Sequence, residues 1–192
     1  MPAGEATPLR IIGGRLARRR LMYTGDQRTR PMKDRVREAV FNLVGPSVAG
    51  THAIDLFAGT GALGLEAISR GATRATFIEQ HFPTAQVIRD NLATLAVSEL
   101  AEVVAGNTFI WARRLPEMGT QPWVVFCSPP YDFYVERNEE MLQMLSRLLQ
   151  AAPAGSTFVV EADQRFDFGT LPSPDTWNVR HYPPAHVGIF RT

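Results

Sequence analysis

A single cysteine, Cys127, leaves this chain of 192 residues without an internal disulfide and without the thiolates of a structural zinc or iron–sulfur centre. Histidine is also scarce: His52, His81, His181 and His186 show no metal-ligand spacing, and no metal site is expected. No apolar run approaches the roughly 20 residues that span a bilayer. Neither sign of charge dominates, since 20 Lys and Arg face 19 Asp and Glu. With 45% hydrophobic and 20% charged residues, disorder of the whole chain is excluded. The opening Met-Pro-Ala-Gly-Glu lacks the basic-then-apolar pattern of a secretory leader. A cytoplasmic, membrane-free, monomeric protein of one domain is therefore expected.

What is present is unevenly spread. Residues 1–37 hold ten of the 20 Lys and Arg but only three of the 19 acids, a net +7, and the remainder carries −6. A basic arm on an acidic body suits a polyanionic partner such as nucleic acid. Its candidate phosphate contacts are Arg10, Arg15, Arg18, Arg19, Arg20, Arg30 and Arg35. The bland alternative is a solvated basic tail.

Apolar pieces around Gly13-Gly14 within residues 9–23 predict a hairpin. Pro31 suits the first turn of a helix, which Val36, Val40, Phe41, Leu43 and Val44 continue to Gly45-Pro46. From residue 51 the rhythm changes. Apolar runs at 51–57, 74–79, 101–105, 122–127 and 156–161 alternate with helical patterns at 61–71, 83–97, 108–114 and 137–151. That alternation predicts an α/β fold with a parallel sheet between helices. Two further strands, 176–182 and 186–192, meet tightly around Pro183-Pro184, and so should be antiparallel. The division expected is a basic hairpin and helix, 1–46, in one domain with a catalytic part, 47–192.

The first run leads into Asp55-Leu56-Phe57-Ala58-Gly59-Thr60-Gly61-Ala62-Leu63-Gly64. Gly59, Gly61 and Gly64 form G-x-G-x-x-G between strand and helix, and Glu79 closes the next strand at the spacing of a ribose-binding acid. A nucleoside-containing cofactor is expected, with Phe57 among its contacts. A dinucleotide would bring a pyrophosphate, which the Asp55 carboxylate opposes. S-adenosylmethionine has no phosphate and carries two cationic groups that Asp55 favours. Asp55 could also simply cap the loop. Asn107, after the third run, could pair with adenine or cap the following helix.

A second motif, Ser128-Pro129-Pro130-Tyr131, follows Trp123–Cys127. The prolines make a rigid turn. A base amine is a poor nucleophile because its lone pair is delocalised into the ring. Acceptors for its N–H bonds stabilise the pyramidal nitrogen of the transition state, and Ser128 Oγ and the Pro129 carbonyl are candidates. Tyr131 could stack on the base. Ser128→Asp would then be expected to speed transfer. The bland reading is a Pro-Pro turn with a core tyrosine. Cys127 reads as a small strand residue rather than a nucleophile, and Glu66 as either a motif residue or a helix-surface acid.

Taken together, these residues resemble the RsmD-like small-subunit ribosomal RNA guanine-N2 methyltransferases. The likeness lies in Leu9–Gly14, Thr29-Arg30-Pro31, Asp34–Asn42, Asp55–Glu66 and the Pro-Pro-Tyr turn. It implies a Rossmann-like class I methyltransferase fold, a seven-stranded mostly parallel sheet with an antiparallel C-terminal strand and an N-terminal β-hairpin extension. It further implies S-adenosylmethionine as cofactor and ribosomal RNA, within an assembled or partly assembled subunit, as partner. Two positions depart from the pattern: Ser128 stands where Asp or Asn is usual, and Met32-Lys33 where Thr-Thr is common. The rival readings are an NAD-linked oxidoreductase, an adenine-N6 or cytosine-N4 methyltransferase, and an RNA-binding homologue with impaired catalysis.

Overall fold

Five short apolar runs pair in parallel: β1 His52–Asp55, β2 Arg74–Glu79, β3 Ala101–Ala105, β4 Trp123–Cys127 and β5 Thr157–Ala162. The computed structural model describes residues 9–23 and 32–192. β1, β4 and β5 are buried along their whole lengths, as unbroken apolar strands covered on both faces must be. β6 Asn178–Tyr182 and β7 Ala185–Arg191 form the expected antiparallel pair, and β7 docks antiparallel on β5. The order is β3-β2-β1-β4-β5-β7-β6. Strands proceed outward from β1 in one direction and from β4 in the other, so a crevice opens at the carboxyl ends of β1 and β4.

The helices are α1 Asp34–Val44, α2 Ala62–Ser69, α3 Phe82–Thr94, α4 Thr108–Arg113, α5 Phe133–Glu136 and α6 Asn138–Ala151. α6 buries Met141, Met144, Leu145 and Leu148, one stripe of a 3.6-residue period. α2 lies hard against the sheet: a Cβ on Gly64 would stand 2.3 Å from the Phe77 ring. The third motif glycine is thus required by packing. One apolar cluster unites α1, α2 and α3 with Ile11, Leu16 and Leu21 of the N-terminal arm. The other gathers α4, α6 and the tail residues Phe166 and Trp177.

The predicted N-terminal hairpin is a narrow antiparallel ladder, with Arg10 bridging Arg20 and the Leu21 amide donating to the Leu9 carbonyl at 2.9 Å. Its reversal occupies residues 13–18 rather than Gly13-Gly14 alone. The glycines serve close approach. A Cβ on Gly14 would lie 2.1 Å from the Ser69 carbonyl oxygen, and one on Gly13 2.4 Å from the Arg70 guanidinium. Glu66, fully buried in α2, anchors the arm by accepting the Ile12 and Gly13 amides, each at 2.7 Å. The helix predicted from Pro31 is α1; Pro31 lies outside the described residues. No helix of the described residues is long and apolar enough to cross a membrane.

Candidate active site

The glycine loop springs from the end of β1. Gly59 and Gly61 have φ of 50° and 75°, a left-handed backbone that favours glycine. Beneath it Asp55 is 1% exposed, and its Oδ2 accepts the Gly64 amide at 3.1 Å. Its Oδ1 is buried without a hydrogen-bond partner among the described residues. Burial, reinforced by the nearby Glu79 charge, pushes the Asp55 carboxyl up to about 7. The capping role is therefore real but uses only one oxygen. An unsatisfied buried acceptor costs free energy that a cationic ligand group would offset. That fits a cofactor bearing an ammonium and a sulfonium.

Glu79, at the end of β2, accepts the Gly59 amide at 2.9 Å and the His81 amide at 2.7 Å. It holds the loop while each oxygen keeps a lone pair for ribose hydroxyls. Asn107 caps α4, its Oδ1 accepting from Phe109 at 2.9 Å and Ile110 at 3.1 Å. Only its amide nitrogen is left to meet a base. Thr108 donates its hydroxyl to the Leu56 carbonyl, tying α4 to the glycine loop. The ring of half-buried Phe57 packs edge-on to Phe109 and Phe133, with centroids 6.0 and 5.9 Å away. The Arg137 guanidinium lies over Phe109 at 4.1 Å, so this aromatic group bridges the two motif loops.

β4 lies beside β1, with Asp55 opposite Phe126, so the Ser128-Pro129-Pro130-Tyr131 turn emerges at the same sheet edge as the glycine loop. The Pro130 carbonyl is taken by the Phe133 amide at 2.9 Å. The Pro129 carbonyl accepts no hydrogen bond from the described residues. Neither hydroxyl of the turn faces an apolar core. Ser128 donates to Glu161 Oε2, and Tyr131 donates to Glu161 Oε1 at 2.8 Å. Glu161 lies near the end of β5, buried, and sequence reasoning missed it. Its signal was available: β1, β2 and β5 are apolar runs that each carry an acid at or next to their last residue, Asp55, Glu79 and Glu161.

Cys127 is buried against the Tyr134 hydroxyl at 3.7 Å, and burial pushes its thiol up to about 12, so it is no nucleophile at neutral pH. His52 bonds Thr76 at 2.8 Å, and burial with Arg74 nearby lowers it to about 4. Of the candidate phosphate contacts, Arg10, Arg15, Arg18, Arg19 and Arg20 on the arm and Arg35 on α1 are exposed. Arg30 lies outside the described residues. Arg37, counted in the basic segment by sequence, is fully buried and donates to the Arg10 carbonyl at 2.6 Å and Asp34 at 2.9 Å. It is structural and not available to phosphate.

Comparison with known proteins agrees with this geometry. The family model described as conserved hypothetical protein 95 matches residues 9–181. Ribosomal RNA small subunit methyltransferase D of Haemophilus influenzae is 32% identical over 173 residues, 89% of this chain and 86% of that protein. The Escherichia coli K12 protein of the same name is 42% identical over 123 residues, 64% of this chain and 60% of its own length. The solved structure of Escherichia coli yhhF superposes with a TM-score of 0.77 at 28% identity, covering 96% of this chain and 98% of that one. Matched over residues 9–181, which include both motif loops, the chain belongs to the RsmD-like family of S-adenosylmethionine-dependent methyltransferases.

Proposed function

We propose that the protein methylates the exocyclic N2 amine of a guanine in small-subunit ribosomal RNA, using S-adenosylmethionine. The observation that carries this reading is the pairing of two loops at one switch point: a glycine loop over a half-satisfied buried Asp55, beside a rigid Ser-Pro-Pro-Tyr turn. When bound, S-adenosylmethionine supplies an electrophilic methyl group on sulfur. Asp55, Phe57, Gly59, Gly61, Glu79 and Asn107 would hold it. Ser128 Oγ and the Pro129 carbonyl receive the N–H bonds of the target amine, Pro130 stiffens the turn, and Tyr131 lies against the base. Positioning and charge complementarity supply the acceleration in this scheme, with no strong general base in direct contact with the amine. Exposed Arg10, Arg15, Arg18, Arg19, Arg20 and Arg35, together with Arg30, take phosphates of the RNA. The same reading makes residues 1–46 a basic part of one domain with residues 47–192. It also makes the protein a cytoplasmic monomer that meets its RNA in an assembled or partly assembled subunit. Undermethylated small subunits, naked ribosomal RNA and DNA are offered with S-adenosylmethionine, and the products are read by nucleoside mass spectrometry. N2-methylguanosine formed on ribosomal RNA is the expected product. Methylated adenine or cytosine would replace the base assignment, and no transfer with RNA still bound would favour an impaired homologue.

A further inference from the structure

Glu161 belongs to neither motif, yet the second loop closes on it. It is 6% exposed, and it accepts the Ser128 and Tyr131 hydroxyls on separate oxygens. None of the Lys, Arg or His side chains among the described residues comes within ion-pair distance of it. A buried carboxylate held only by neutral donors is costly to the fold. It also polarises those donors: a hydroxyl that gives its proton to a carboxylate becomes a better acceptor at its own oxygen. Ser128 alone is a weak acceptor, and Ser128 backed by Glu161 is not.

Resting on the functional reading above, we propose that Glu161 is the positioning residue of methyl transfer and, through Ser128, the final acceptor of the proton that the amine must lose. The amine lone pair forms the new N–C bond to the methyl carbon, and the S–C electron pair stays on sulfur. The nitrogen, now cationic, gives one proton to Ser128 Oγ while the Ser128 hydroxyl proton passes to Glu161 Oε2. Glutamic acid returns that proton to water after transfer, and charge and atoms balance. Burial pushes the Glu161 carboxyl above the usual carboxylate range, against the opposing pull of the two hydroxyls. The ionisable groups that face it are Tyr131 from the loop, Tyr134 from α5 and Cys127 from β4, and across the ladder β7 offers Val187. Tyr134 and Cys127 are both pushed up by burial and stay neutral. Glu161 is thus the group that sets an acidic limb in the rate of transfer at saturating cofactor.

The test compares the parent with Glu161→Gln, Glu161→Asp and Ser128→Ala. Single-turnover transfer to undermethylated subunits is followed against pH, alongside S-adenosylhomocysteine and RNA affinities. Glu161→Gln should slow transfer roughly 10- to 100-fold, the scale of lost acid–base assistance. It should abolish the acidic limb and leave both affinities within about twofold. Glu161→Asp should recover part of the rate, and Ser128→Ala combined with Glu161→Gln should be no slower than the worse single variant. Without turnover, a carbon-13 titration of the Glu161 carboxyl should move upward in Ser128→Ala. A parent-like rate in Glu161→Gln overturns the proposal, as does a slow variant that keeps the limb. Should Glu161→Gln not fold, a Ser128→Ala enzyme with an unchanged limb overturns it equally. A parent protein that binds no S-adenosylhomocysteine would instead bring down the functional reading, a failure visible before any variant is made.

Discussion

Glu66 and Glu161 are both buried glutamates, and their surroundings could hardly differ more. Glu66 takes two backbone amides at 2.7 Å and the Arg70 Nε at 2.8 Å, with Arg37 Nε at 4.0 Å. Glu161 takes two neutral hydroxyls and, among the described residues, no cation. Asp55 resembles Glu161 in kind, with one amide on one oxygen and no partner for the other among the described residues. The difference separates two uses of a buried charge. A charge fully answered by the protein holds pieces of chain together. A charge answered in part is destabilising until something outside the protein completes it, and that incompleteness marks a site.

The comparison breaks first at Glu66. Glu66→Ala removes one partner of a buried ion pair and the anchor of the arm, and should cost about 3–5 kcal/mol. Urea denaturation reads this loss, and below the melting temperature S-adenosylhomocysteine affinity should be unchanged. If Glu66→Ala melts with the parent, the network is ornamental and the contrast fails.

Asp55 should behave oppositely. Its folded carboxyl is raised from 3.8 to about 7, so the ligand-free protein binds the extra proton and loses stability as pH climbs between those values. The loss is on the order of 4 kcal/mol at full ionisation. Asp55→Asn should therefore flatten the pH dependence and stabilise the ligand-free protein above pH 7. It should also weaken S-adenosylhomocysteine binding by about 1–3 kcal/mol. Melting curves with and without ligand at several pH values check both signs. An Asn variant that binds normally would remove Asp55 from the cofactor site.

Ser128→Ala should slow transfer about tenfold, or roughly 1.4 kcal/mol in the barrier. Ser128→Asp is where structure reverses the expectation from sequence. It would set a second carboxylate against Glu161, and two such groups in contact cannot both ionise. Turnover should fall, not rise, and single-turnover rates decide the sign. The smallest effect on the fold belongs to the arm's surface. Replacing Arg18, Arg19 and Arg20 by Ala should leave stability within about 0.5 kcal/mol. Yet the slope of log RNA affinity against log salt should shrink by about 2–3 units. An untouched slope would make the arm a solvated tail.

Local pattern carried much of this molecule. The strands predicted at 74–79 and 101–105 are β2 and β3, because an apolar run between turn residues is a local property. The helix predicted over 83–97 ends at Thr94, because Ala96 takes a left-handed backbone, φ 55°, and the chain turns there while still burying Leu95 and Val97. The glycine loop was legible because left-handed backbone and close approach both demand glycine. Glu161 was not legible as a site residue: it is 33 positions from Ser128, and only the pairing of β4 with β5 brings them together.

By itself the sequence determined the alternating elements, the glycine loop with its two acids, the Pro-Pro turn and the basic character of the arm, all properties of residues near one another in the chain. Only the tertiary structure decided which of those charges are free to act. Strand order sets β1 beside β4 and so makes one site of two motifs. Packing of the arm on α2 buries Arg37 and Glu66 together, and pairing of β4 with β5 lends Ser128 a carboxylate. Those outcomes depend on contacts between segments far apart in the chain, where burial and solvation, rather than residue type, determine what a charged group can do.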